Sequence, residues 1–118
     1  MVNLTHFLPK LGQPLRWPYF VAEYSKRRGF MVTAILKFEI RNTFAEWEQA
    51  FYSHQPIARA AGMFEIYHGH APDDEKKVCV VLNALSPEHM QKFIEANGAK
   101  MADSGHILET TVSEIYVN

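Results

Sequence analysis

From Met31 onward the chain predicts an α+β fold of ferredoxin-like order, βαββαβ, and three observations predict it. A strand, amphipathic helix, strand pattern is written twice: Met31–Ile40, Thr43–Ala61 and Met63–His70, then Lys77–Leu85, Pro87–Met101 and His106–Val117. Apolar residues recur at period two in the strands and at helical spacing between them. The two copies are joined by a short polar turn, Ala71-Pro72-Asp73-Asp74-Glu75-Lys76, in which Asp73 and Asp74 are turn formers.

The first strand alternates. Val32, Ala34, Leu36, Phe38 and Ile40 share one face, and Thr33, Ile35, Lys37 and Glu39 the other. Asn42 or Thr43 caps the first helix, with Glu46 and Glu48 near its positive end. Phe44, Trp47 and Phe51 make its inward stripe. Pro56 is expected to interrupt that helix after Ser53-His54-Gln55, with a fresh turn running to Gly62. Met63–His70 is the second strand. In the third, Val78, Val80 and Leu82 share a face. Ser86-Pro87-Glu88 opens the second helix with a cap residue, first-turn proline and early acid. Met90, Phe93, Ile94 and Asn97 form its inner stripe, and Asn97-Gly98 is expected to end or kink it. His106 to Val117 is the fourth strand.

Right-handed crossovers give an antiparallel sheet of order 4-1-3-2 with both helices on one face. The other face is expected to show Thr33, Ile35, Met63, Tyr67, Cys79 and Val81. That is too apolar for a sheet face left in water. A second copy packed sheet to sheet is the simplest cover, which predicts a homodimer.

Composition agrees with one small domain. The 118 residues are 47% hydrophobic and 21% charged, with no apolar run near the ~20 residues of a membrane span. Cys79 is the single cysteine, so no internal disulfide forms and a reducing, cytoplasmic setting fits; it reads as a small buried hydrophobe. Charge divides unevenly. Residues 1–30 hold five Lys and Arg against one Glu, while residues 31–118 hold seven against twelve acids.

Residues 1–30 form an extension outside both βαβ units. They contain Pro9, Pro14 and Pro18 and end in Arg27-Arg28-Gly29-Phe30 before an apolar run. That run stops at Lys37 and Glu39, too short for an export signal, and cleavage there would remove the first strand. Two readings stand. Met31 is the true initiator, the favoured one, or the segment lies over the acidic domain with its basic tail and with Trp17, Tyr19, Phe20 and Tyr24 docked.

The run Trp47-x-x-x-Phe51-x-x-His54-x-Pro56-x-x-Arg59-x-x-Gly62 resembles a signature of small dimeric α+β barrel proteins related to the antibiotic biosynthesis monooxygenases. Asp73-Asp74, Lys77-Val78 and Ser104-Gly105-His106-Ile107-Leu108-Glu109 resemble a poorly characterised bacterial family within that group, known largely from cyanobacteria. The resemblance covers Met31 to about Tyr116. It implies the barrel fold and dimerisation; the group includes cofactor-free oxygenases and haem-handling members. No complete catalytic set of that group maps onto these positions.

Among residues that could carry chemistry, His68-x-His70 is the most conspicuous. Both rings point to one face of a strand, as a two-histidine metal site needs. His106 sits at the same end of the sheet but about three strand spacings away, ~14 Å, so no third ligand is fixed within one chain. No metal or cofactor is therefore assigned. His54 and Arg59 follow the first helix, and Arg59 reads first as pairing with a carboxylate or capping carbonyls. Trp47 and Phe51 read first as core, yet a tryptophan facing the sheet beside His68 is also how an aromatic-lined pocket is built. Glu109 would have a raised pKa if strand four buries it. Nucleic acid is excluded as a partner: the domain is acidic, and the central strands lack the exposed aromatics on which bases stack.

The expectation is a homodimeric α+β barrel with a small apolar pocket between helices and sheet. Trp47, Phe51 and His68 line it, with His54, Arg59 and His106 as polar candidates. A cofactor-free oxygenase and a dimerisation module without a pocket are the alternatives.

Overall fold

The structure, a computed structural model, describes residues 31–117. The extension expected at residues 1–30 lies outside the described residues. The elements are β1 (Val32–Ile40), α1 (Phe44–Ala60), β2 (Met63–Ala71), β3 (Asp74–Ala84), α2 (Pro87–Asp103) and β4 (His106–Val117). The strands form one antiparallel sheet of order β2-β3-β1-β4, the expected 4-1-3-2 read from the other edge. Among the described residues no helix is long and apolar enough to cross a membrane.

Local chemistry sets the helix starts. Thr43 Oγ1 accepts from the Glu46 amide, and Glu46 Oε1 accepts from the Thr43 amide, a reciprocal capping box. Those hydrogen bonds hold the Glu46 carboxyl below its ordinary range. Ser86 caps α2, with Pro87 in its first turn. Gly62 and Gly105 leave the helices at φ +85° and +109°. At Gly105 a side chain would also collide with Asn42 Oδ1.

Two helix expectations are corrected. Pro56 lies inside a continuous α1 rather than interrupting it. The ring removes one amide donor, but Gln55 and Ala58 on either side are buried and hold the last turns against the core. Likewise Asn97-Gly98 does not end α2, which runs on to Asp103. Asn97 Nδ2 donates to Phe93 O one turn back, so its side chain follows the helix instead of terminating it. The hairpin is also tighter than expected, because pairing reaches Ala71 and Asp74.

The core is the sheet face carrying Val32, Ala34, Leu36, Phe38 and Ile40, as the alternation of β1 predicts, closed by Trp47 and Met90. Met63 is a further correction. It is 4% exposed and belongs to this core, not to the open face. The cause is a bulge in β2: Glu65 pairs with Leu82 and Tyr67 with the very next residue, Val81, leaving Ile66 as an extra residue. Odd positions face the helices before the bulge and even positions after it. Met63 and Tyr67 therefore stand on opposite faces, and His68 and His70 pair with the buried Val80 and Val78. Cys79 is half-buried on the open face beside Ile35 and Val81 rather than fully buried.

A second irregularity lies in β4. Ile107 pairs with Glu39 and Val112 with Lys37, so residues 108–111 stand opposite Phe38 alone. Glu109 falls in this excursion and is exposed.

Candidate functional site

Between the two helices and the core face of the sheet lies a cavity of about 100 Å³. Phe38 and Leu36 form its floor, Trp47, Phe51 and Ala58 its α1 wall, and Met90, Phe93 and Ile94 its α2 wall. Trp47 is 3% exposed and stacks on Phe51 at 4.8 Å between centroids. It tilts against Phe38 at 5.7 Å and Phe44 at 5.6 Å. Helical spacing puts 44, 47 and 51 on one face, which is why these rings meet.

His106 is a buried, ionisable group at the start of β4. Its ring lies on Phe38, 3.7 Å between centroids. Nε2 is 2.6 Å from Thr111 Oγ1, five residues on, a contact a regular strand cannot make and the β4 excursion allows. Burial lowers the pKa of His106 from 6.5 to about 3, so the ring is neutral at physiological pH.

At the β2 end, His68 stands between two carboxylates. Nε2 is 2.6 Å from Glu48 Oε2, and Nδ1 is 3.0 Å from Glu65 Oε1. The Tyr52 hydroxyl lies 3.3 Å from both His68 Nε2 and Glu48 Oε2. Desolvation, and then the charge of Glu48, raise the pKa of Tyr52.

The domain of unknown function DUF3764 matches this chain over residues 31–118. The chain belongs to the DUF3764 family. Comparison with curated proteins finds no match. Among solved structures, this DUF3764 chain is similar to a candidate antibiotic biosynthesis monooxygenase from Nitrosomonas europaea, at 16% identity and TM-score 0.59, covering 76% of this chain and 91% of that one. A second from Caulobacter crescentus has 15% identity and TM-score 0.56, covering 81% and 97%. SnoaB, a cofactor-independent oxygenase from Streptomyces nogalater, has 15% identity and TM-score 0.51, covering 75% and 91%. At such identities the likeness is one of fold: a ferredoxin-like DUF3764 domain built as the antibiotic biosynthesis monooxygenase proteins are.

Of the residues singled out in the DUF3764 sequence, Trp47, Phe51, His54 and His106 line the cavity together. His68 does not reach its wall; the ring sits behind Trp47 and Phe51, at 6.1 and 5.0 Å. Arg59 is exposed in the last turn of α1, where a cation meets the negative helix end. His70 shares the face of His68 as expected, but its Nδ1 lies 2.8 Å from Ala71 O and its ring stands edge-on to Phe44. Among the described residues no group of three or more His, Cys, Asp or Glu could hold a metal ion.

Sequence reasoning missed Glu65 and Gln55, which line the cavity, and Glu48 and Tyr52, which flank His68. Glu48 and Tyr52 are four apart on one helix, a spacing that could have paired them. Glu65 and His68 carry no such signal. Three apart on a regular strand they would point to opposite faces, and the bulge at Ile66 alone brings them together.

Proposed function

We propose that this protein binds a small, mainly apolar or aromatic molecule in the cavity between helices and sheet, and that it works as a homodimer through the open sheet face. The observation that carries the first part is a cavity of about 100 Å³ walled by Trp47, Phe51, Phe38 and Phe93 and holding a neutral, buried His106. Aromatic walls with a few polar groups are what a small-molecule site requires. Ile35, Val81 and Cys79 on the open face support the second part. The single cysteine supports a reducing, cytoplasmic setting.

A cofactor-free oxygenase is the second reading, favoured by the fold shared with SnoaB, described as a cofactor-independent oxygenase. In that reading Trp47 holds an aromatic substrate and a histidine takes its proton. His106 is a poor choice for that proton: with a pKa of about 3, charging it at pH 7 costs on the order of 5 kcal/mol. It serves better as a hydrogen-bond partner, which is why binding comes first.

Thermal-shift screening of small aromatic compounds on the full chain tests the reading, repeated on Trp47→Ala and on Ala58→Phe, which fills the cavity from α1. Hits should raise the melting temperature of the parent and lose their effect on both variants. Hits that stabilise all three proteins alike would overturn it.

A further inference from the structure

Glu65 is the one ionisable acid among the described residues lining the cavity. Its Oε1 faces His68, and Oε2 has no hydrogen bond to a described residue. Beyond His68 stands a second carboxylate, Glu48. Among the described residues, no Lys or Arg forms an ion pair with either acid. Each imidazole nitrogen can carry one hydrogen. A ring with one hydrogen donates to one carboxylate and leaves the trio at −2; a ring with two donates to both and leaves it at −1. The β2 end of the cavity is negative in either state.

We propose that the ligand of this cavity is a small organic amine, its apolar body against Trp47 and Phe51 and its ammonium on Glu65. The inference rests on the cavity reading and narrows it to a chemical class. An ammonium gives Glu65 Oε2 a donor that also carries the opposite charge, whereas a neutral ligand offers it a hydroxyl at most and leaves the charge uncompensated. An anion would add a further negative charge to the trio. Phe51, whose ring lies 5.0 Å from that of His68, lines the cavity as an aromatic ring, and such rings attract cations to their faces. His68 is a positioning residue: anchored by Glu48, it holds Glu65 where the cavity wall needs it.

Three probes that share a phenylethyl group separate the cases: 2-phenylethylamine, 2-phenylethanol and 3-phenylpropionate, titrated by calorimetry into the full chain at pH 7. The amine should bind about tenfold more tightly than the alcohol, the excess of a cationic over a neutral donor on the same carboxylate, and the acid most weakly. Glu65→Gln should remove the preference for amine over alcohol by weakening the amine far more than the alcohol, a selective change that loosened packing would not produce. Should Glu65→Gln fail to fold, Glu48→Gln lowers the same local charge and must lower the same ratio. Equal binding of amine and alcohol to the parent, or a ratio indifferent to these substitutions, overturns the inference and leaves the cavity reading standing. Failure of all three compounds to bind overturns the cavity reading and this inference with it.

Discussion

His106 lies flat on Phe38, with ring centroids 3.7 Å apart and planes 12° from parallel. The imidazole is 4% exposed and hydrogen-bonded to Thr111, so the fold holds it in the neutral form. Burial disfavours the second ring proton, the one that would charge the imidazole.

That penalty makes stability depend on pH. The unfolded imidazole titrates near 6.5 and the folded one near 3, so between these values the unfolded chain binds the extra proton. The contribution is fully present above about pH 6.5 and is lost as the pH falls towards 3, up to roughly 3–5 kcal/mol. Urea unfolding of the parent and of His106→Phe across this window checks it. The difference between the two profiles should slope; parallel profiles would refute the assignment.

Trp47 closes the core against Phe38, Phe44 and Phe51. Trp47→Ala should cost about 3–5 kcal/mol, as removal of a large buried aromatic does. Denaturant unfolding measures this directly. A loss under 1 kcal/mol would mean that the ring is not packed as described.

Ile66 is the extra residue of the β2 bulge and is 55% exposed. Deleting it should restore plain alternation, with Met63, Glu65 and His68 still on the helix side. Nuclear Overhauser contacts between the Trp47 and His68 rings, 6.1 Å apart between centroids, should survive the deletion. Their disappearance from a folded variant would show that the bulge does more than switch the phase of the strand.

Ser113 is 1% exposed, and its Oγ finds no hydrogen-bond partner among the described residues. Ser113→Ala should therefore stabilise the protein by about 1 kcal/mol, because a desolvated hydroxyl without compensation is removed. A fall in melting temperature would point to a partner for this hydroxyl in solution.

Val81 and Ile35 stand opposite each other on the open sheet face. Sedimentation of the full chain at micromolar concentration should give twice the monomer mass, and Val81→Asp should give the monomer, because a charge buried between two sheets lacks a partner. A parent that sediments as a monomer would remove the homodimer from the proposal.

Much of this architecture is legible in the sequence because its signals are local. The alternation of Val32 to Ile40 names the buried face of β1, the 44-47-51 spacing names the inner stripe of α1, and Ser86-Pro87-Glu88 marks the start of α2. Pro56 and Asn97-Gly98 misled for the same reason. Their local preference is to break a helix, and packing of the residues around them outweighs it.

By itself the sequence determined the order of elements, the strand order and the aromatic lining that Trp47 and Phe51 contribute. Tertiary structure alone decided the two ends of the cavity. One irregularity, at Ile66, turns Glu65 and His68 to the same side; the other, in residues 108–111, folds Thr111 back to His106. A bulge is a mismatch in the pairing of two strands, set by how residues far apart in the chain align. No periodicity within one strand records it, so the polar groups that a bulge brings together come into view only when the sheet is assembled.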